Sequence, residues 1–282
     1  MVELTLYHGD CLKVMKELPA ASVDLILCDL PYGCLQAKRG GKRVGKCEPG
    51  KPNSNIVIQN IPCEWDVKID LSEFWKEVKR IRRSENTPCI HFCTTKYGYE
   101  LIHSNSSEFR YDLVWDKRRG VSFLQSGKMP MRSHEMLYVF SKTGSFYHRV
   151  DEDAPGKTTQ RFKQKESNLS DAVSNAFRPS SGVLSPTIED GKKCAVSVIQ
   201  IDGKKQGGRT RIGTKPHPTQ KPEELYRWII ERYCPIGGTV LDPTFGSGNS
   251  IFTAYAMGRN AIGIEKNDSF FATAEERLQA LP

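Results

Sequence analysis

No run in the chain approaches the ~18–20 consecutive apolar residues that a membrane-spanning helix needs, although apolar residues make up 38% of it. The opening residues, Met1-Val2-Glu3-Leu4-Thr5, lack the basic-then-apolar order of a secretory leader. A soluble, cytoplasmic protein with no membrane partner is therefore expected. Pairing is also missing among the nine cysteines, at positions 11, 28, 34, 47, 63, 89, 93, 194 and 234. Their number is odd, none forms a C-x-x-C pair, and no Cys/His spacing suits a metal ligand set. Reduced thiols and no bound metal are the expectation. Cys89 and Cys93 lie in an apolar stretch, where a free thiol behaves as a small hydrophobe.

What is present in excess is positive charge, +8 overall, and it is unevenly placed. Residues 117–215 hold 19 Lys and Arg against 9 Asp and Glu, a net of +10. The stretch 36–51 adds six bases against Glu48, a net of +5, which leaves −7 for the rest. Two basic segments on an acidic body point to a polyanion engaged by particular regions of the chain.

At 282 residues the chain is long enough for one large α/β domain or a domain with an inserted module. Val23–Cys28 is an apolar run broken only by Asp24 and ends in Asp29 and a Pro-Tyr-Gly turn, the pattern of a buried parallel strand with functional residues at its end. Leu71, Phe74, Trp75, Val78 and Ile81 recur at helical spacing. Residues 88–93, 109–115 and 135–140 read as strands, and 96–103 as a helix. Strand and helix in alternation imply βαβ units and a parallel sheet. Residues 151–215 turn polar and lose periodicity, as an irregular inserted module would. Regular structure resumes with a helix from Pro222 to Tyr233, a strand at 239–241, a helix over 249–257 closed by Gly258, and a strand at 261–265. Asp268 is placed to cap a last helix, 269–279.

Two segments carry chemistry. The later is Asp242-Pro243-Thr244-Phe245-Gly246-Ser247-Gly248-Asn249, a strand end followed by a glycine turn where backbone can approach a ligand closely. Glu265, 23 residues after Asp242, ends the next strand, where a carboxylate can accept the two hydroxyls of a ribose. A dinucleotide fingerprint wants a third glycine where Ile251 stands, and no Gly-Lys-Ser/Thr phosphate loop follows. A nucleoside cofactor without phosphates fits, and S-adenosylmethionine is one.

The earlier segment is Asp29-Leu30-Pro31-Tyr32. An exocyclic base amine is a poor nucleophile because its lone pair is delocalised into the ring. Methylating it needs acceptors that draw both hydrogens out of the ring plane. The Asp29 carboxylate and the Leu30 carbonyl can be those acceptors; Pro31 stiffens the turn and Tyr32 offers a ring face for stacking.

These segments resemble those of the DNA amino-methyltransferases, with their Asp-Pro-Pro-Tyr and Phe-x-Gly-x-Gly motifs. Leu30 replaces the first proline, and Phe245 stands one place late, with Thr244 in the usual phenylalanine position. His8-Gly9-Asp10-Cys11 is similar to the segment whose acid binds the cofactor's adenine, and His217-Pro218-Thr219-Gln220-Lys221-Pro222 to the segment that meets its methionine end. The order, catalytic segment first, resembles the β group. Residues 34–62 and 142–213 match none of its motifs.

The resemblance implies a Rossmann-like α/β fold: a seven-stranded sheet, parallel apart from one strand, with helices on both faces. It implies a catalytic half (1–116), a basic target-recognition region (117–215) that includes the core strand at 135–140, and a cofactor-binding half (216–282). Catalytic residues would be Asp29, Leu30, Pro31 and Tyr32. The cofactor site would take Asp10, Cys11, Asp29, His217, Thr219, Lys221, Asp242, Phe245, Gly246, Gly248, Asn249 and Glu265. Double-stranded DNA would meet Lys38, Arg39, Lys42, Arg43, Lys117, Arg118, Arg119, Arg132 and His134, near Phe123 and Trp115, with Trp115 assigned to the core. The target base would flip from the duplex. In the family, Asp at the first tetrapeptide position accompanies adenine more often, and Ser cytosine, so site-specific N6-adenine methylation is the expected activity and N4-cytosine the alternative. A restriction-modification setting in a prokaryote or phage follows, leaving open a homodimer and a cognate restriction enzyme as partners. Two other readings, a silent nucleic-acid-binding subunit and an RNA substrate, are disfavoured by the intact motifs and by the two basic segments.

Overall fold

The unbroken apolar stretches of the sequence become strands buried on both faces. The computed structural model describes residues 2–33, 66–121, 126–153, 191–203 and 220–281. Chain order runs β1 (Leu4–His8), α1 (Cys11–Glu17), β2 (Leu25–Cys28), α2 (Leu71–Ile81), β3 (Cys89–Cys93), α3 (Thr95–Ser104), β4 (Phe109–Val121), β5 (Arg132–Phe140), β6 (Glu152–Asp153) and β7 (Lys192–Lys193). It continues through β8 (Val198–Gln200), α4 (Glu223–Tyr233), β9 (Thr239–Asp242), α5 (Asn249–Ala256), β10 (Asn260–Glu265) and α6 (Asp268–Gln279).

Eight of these strands form one sheet in the order β1-β10-β9-β2-β3-β5-β4-β8. Among the described strands of this sheet only β5 opposes its neighbours; the other pairings are parallel. The eighth strand beyond the expected seven is β8, whose Ile199 is 4% exposed beside Trp115. Side chains alternate between two cores. Leu25 and Leu27 share one with Ile229 of α4, Ile251 of α5 and Ala274 of α6. Ile26 and Cys28 share the other with Met15 of α1, Phe74 of α2 and Tyr97 of α3. Helices thus cover both faces, which is why the central strands β2, β3 and β9 are buried at every position.

The chain divides into a unit of residues 1–148 with 197–282 and a second unit, 149–196, whose described strands β6 and β7 pair antiparallel. The sheet belongs to the first unit. From β2 the chain proceeds to β3 on one side, while β9, β10 and β1 lie on the other. The crevice at such a switch point, beyond the carboxyl ends of the strands, is where open α/β sheets bind ligands.

Three local readings are corrected. The sequence pattern assigns no strand before residue 23, yet Leu4–His8 pairs with β10. The cap of α6 is Asn267, whose Oδ1 accepts from the Ser269 and Phe270 amides, so Asp268 begins the helix instead. Strands β4 and β5 run past their apolar parts into polar sequence, with Asp116 opposite His134 and Val121 opposite Arg132.

Trp115 is 2% exposed, and its indole N–H donates to the Ile201 carbonyl at 2.9 Å, which ties β4 to the segment after β8. Trp115→Ala should cost about 3–5 kcal/mol of folding stability. Trp115→Phe, which mainly strips that carbonyl of its donor, should cost about 1–3 kcal/mol; urea unfolding of the two variants checks the order.

Candidate active site

Strand β2 ends at Cys28, and the next four residues turn over the switch point. Leu30 anchors the turn in the core at 2% exposure. Gly33 adopts φ +65°, a conformation suited to glycine, and its N–H donates to Asp66 Oδ1 at 2.8 Å. Asp29 is held at both oxygens: Tyr32 donates its hydroxyl to Oδ1 at 2.6 Å, and Lys221 its ammonium to Oδ2 at 2.6 Å. The Tyr32 ring leans on Tyr97 at a 5.0 Å centroid distance.

Strand β9 delivers Asp242 beside it. The Asp242 carboxylate accepts from the Thr244 amide at 3.0 Å and from the Ser250 hydroxyl. Gly246 and Gly248 take φ +53° and +76°, so the turn needs its glycines. Glu265, at the end of β10, closes the turn: Oε2 accepts from the Gly246 amide at 2.9 Å and Oε1 from that of Asn267 at 2.8 Å. The two motifs touch directly, since Thr244 Oγ1 donates to the Asp29 carbonyl at 3.3 Å across 215 residues of sequence.

Together they line a cavity of about 520 Å³, within the ~300–1,000 Å³ typical of ligand pockets. Asp10, Cys11, Asp29, Leu30, Pro31, Tyr32, Lys221, Asp242, Phe245, Gly246 and Glu265 all reach it. Asp10 caps α1 through the Leu12 amide, and Lys266 sits 3.4 Å from its other oxygen. Gly248 and Asn249 stand behind the wall: Gly248 caps α5, and Asn249 Nδ2 donates to the Lys221 carbonyl at 3.2 Å. The Phe245 side chain turns inward, 5% exposed, against Gly263, where an added Cβ would lie 2.7 Å from its ring. His217, Thr219, Phe123, Lys38, Arg39, Lys42 and Arg43 lie outside the described residues.

The cavity's charges are mutually arranged. Its three lysines are each matched to a carboxylate: Lys68 to Glu100, Lys266 to Asp10, and Lys221 to Asp29 with Glu135. Among the described residues no lining ammonium is therefore left over for a phosphate, whereas carboxylates suit hydroxyls and a cationic ligand. That donor set fits S-adenosylmethionine. Burial raises the Asp242 carboxyl to about 7, partly countered by the Ser250 and Thr244 hydrogen bonds. Burial also raises Glu265, against its backbone donors. For Glu135 burial pushes upward, but Lys221 and Lys117 outweigh it and hold the carboxyl below its ordinary range. Burial would lower the Lys221 ammonium; Asp29 and Glu135 overcome that and keep it charged.

Among the basic residues singled out in the sequence, Lys117 turns inward, its Nζ 2.5 Å from Glu135 and its side chain 13% exposed. Arg118, Arg132 and His134 are exposed on the extended part of the β4–β5 hairpin, and the Arg119 guanidinium lies beside Gly203. Sequence reasoning missed Glu135 and Tyr226 as cavity residues; a lone carboxylate opening an otherwise apolar strand, Glu135 before Met136–Phe140, was the available signal. It also missed that Cys28, Cys89 and His91 place ligand-type atoms within 4.8 Å of one another. They form a buried cluster under Asp29, with Cys89 Sγ 3.3 Å from His91 Nε2.

Comparison with known proteins is consistent with this geometry. The family model for the N6/N4 DNA methylases matches residues 23–276. The type II methyltransferase M.HpaI of Haemophilus parainfluenzae is 46% identical over 279 residues, covering 96% of this chain and 73% of that protein. M.HinfI of Haemophilus influenzae is 26% identical over 287 residues, covering 98% and 68%. Two solved structures share the fold. The PvuII cytosine-N4-specific DNA methyltransferase has a TM-score of 0.61 at 18% identity, covering 98% of this chain and 86% of that one. The M1.HpyAVI–SAM complex has a TM-score of 0.55 at 17% identity, covering 98% and 99%.

The Asp242 carboxyl takes up its proton more readily in the fold, near 7, than in the unfolded chain, near ~3.9. Ionising it therefore costs stability as pH rises through that window. Relative to Asp242→Asn, the wild-type chain should lose stability between about pH 4 and 7 and keep the deficit above. The loss should be about 1.4 kcal/mol for each tenfold difference in proton affinity between folded and unfolded chain. Urea unfolding at about pH 5 and about pH 8 measures it; equal differences at both pH values would overturn the assignment.

Proposed function

The chain belongs to the N6/N4 DNA methylase family, and on that premise we propose that it methylates the exocyclic N6 amine of adenine in duplex DNA. It is an S-adenosylmethionine-dependent DNA methyltransferase. The observation that carries the finer reading is the Asp29 carboxylate, which stands in one cavity with the glycine turn and Glu265. A carboxylate and the adjacent Leu30 carbonyl form an acceptor pair for the two hydrogens of one amine, and the resemblance associates Asp at this position with adenine. Cytosine N4, on which the PvuII relative acts, asks for the same chemistry and is the competing outcome.

When bound, S-adenosylmethionine supplies an electrophilic methyl group; Asp10, Glu265, Asp242 and the Gly246 backbone are the residues that would hold it. Asp29 and Leu30 localise the amine lone pair by drawing its hydrogens out of the ring plane, and Asp29 can take the proton released afterwards. The Lys221 ammonium and the Tyr32 hydroxyl each hold one oxygen of Asp29 and so fix the carboxylate's rotation. Because these groups line a recessed cavity, a base stacked in the duplex does not reach them, so the target flips out at a cost of a few kcal/mol. Arg118, Arg132 and His134 would meet the duplex from the hairpin, with the basic sequence around Lys38–Arg43. Alignment accounts for most of such a displacement, so the rate rests on this positioning.

Host DNA sequenced for base modification after expression should carry N6-methyladenine at one recognition sequence; N4-methylcytosine alone would sink the adenine reading. Asp29→Ala should abolish transfer with S-adenosylmethionine affinity held within about tenfold, since Asp29 acts on the amine. Glu265→Ala should instead weaken cofactor binding by roughly 1.5–3 kcal/mol, read by titration calorimetry.

A further inference from the structure

Five side chains form a continuous polar line across the top of the sheet. Lys117 on β4 reaches Glu135 Oε1 at 2.5 Å; Glu135 Oε2 lies 3.4 Å from Lys221 Nζ; Lys221 is 2.6 Å from Asp29 Oδ2; and Tyr32 is 2.6 Å from Oδ1. Glu135 arrives there because β5 runs against its neighbours, so the start of that strand meets the carboxyl ends of the others, with Glu135 opposite Trp115. The line holds two ammoniums and two carboxylates, largely withdrawn from solvent. Lys221 is 6% exposed at its side chain, rests over the Phe92 ring at 5.1 Å, and has its carbonyl held by Asn249.

The contacts are unequal. Lys221 makes a short hydrogen bond to Asp29 at 2.6 Å, while Glu135 Oε2 is held by the same ammonium only at the longer ion-pair distance of 3.4 Å. It faces the cavity. Glu135 Oε2 therefore offers the Lys221 ammonium a second resting place beside the first. Meanwhile each oxygen of Asp29, the acceptor for a target amine, already carries one donor, and the one on Oδ2 is the Lys221 ammonium at 2.6 Å.

We propose that Glu135 is a positioning residue that receives the Lys221 ammonium when the target amine arrives, which frees Asp29 Oδ2 to accept the amine hydrogen. Lys221 need move only about 0.5 Å to bring Glu135 Oε2 into hydrogen-bond range. No charge enters or leaves the line, and Lys117 stays on Oε1, so Glu135 remains an anion throughout. The inference rests on the reading of Asp29 as the amine acceptor.

The test uses the full chain, S-adenosylmethionine and a duplex carrying the recognition sequence. Glu135→Gln, which keeps the shape but removes the charge that would attract Lys221, should lower kcat about tenfold or more with cofactor affinity within about threefold. Glu135→Asp should recover part of the loss. In a Lys221→Met background, adding Glu135→Gln should change kcat by less than about threefold, because the ammonium to be received is gone. Full activity of Glu135→Gln, additive losses in the double variant, or an equal loss of kcat, cofactor affinity and thermal midpoint would each overturn the exchange. An Asp29→Ala protein that still methylates removes the premise; an inactive Asp29→Ala beside a fully active Glu135→Gln removes only the exchange.

Discussion

Strands β2 and β9 pair in parallel, Leu25 with Val240 and Ile26 with Leu241, and the placement of both motifs follows from that pairing. It sets Asp29 and Asp242 at one edge of the sheet although more than 200 residues separate them, and the Thr244–Asp29 hydrogen bond then locks the two turns together. The pairing is driven by burial on both faces: each strand is buried at every position and is covered by helices on either side. A one-residue slip would exchange the two cores and carry Asp29 away from Asp242 and the glycine turn. Catalytic geometry is therefore specified by the same contacts that specify the fold.

The polar groups gathered at that edge are costly to bury, and the structure offsets the cost group by group. Asp242 has two donors, Glu265 two backbone amides, and Asp29 a phenol and an ammonium. These partners come from neighbouring turns and strands, so each carboxylate is oriented before any ligand enters. Groups fixed in this way need little reorganisation when a ligand arrives, which is where such sites gain most of their effect; the proposed Lys221 shift is of only about 0.5 Å. Glu265 would hold two roles on the proposed reading: its bond to the Gly246 amide shapes the turn, and its remaining lone pairs would be open to a ribose.

The sequence disclosed those parts whose pattern is local. Strand β2 stands out as a continuous apolar run and β3 as one broken only by His91, both buried on two faces, and α2 because Phe74, Trp75, Val78 and Ile81 keep helical spacing. Strand β8 was not legible: Val198–Gln200 contributes one buried side chain, Ile199, and becomes a strand only because the edge of β4 offers its backbone. Asn267 and Asp268 are both good capping types, and the choice is made by Glu265, whose Oε1 takes the Asn267 amide. The catalytic and cofactor motifs were readable as residue types, and the cavity brings most of them together. Glu135 was not, because its partners Lys117 and Lys221 lie 18 and 86 residues away and only an antiparallel strand unites them.

The charge asymmetry of the sequence acquires a physical sense from the cavity. Seven carboxylates line it against three ammonium groups, each of the latter already matched, while the chain as a whole carries +8. On the proposed reading, these lining carboxylates would face a cationic sulfonium nucleoside, while the basic excess of the sequence falls in the segments 36–51 and 117–215. On that reading a polyanionic backbone would be drawn to the basic segments and repelled by the cavity, so that an uncharged base would enter and not its phosphate. One chain can in this way hold a cation and a polyanion at once without either competing for the other's site.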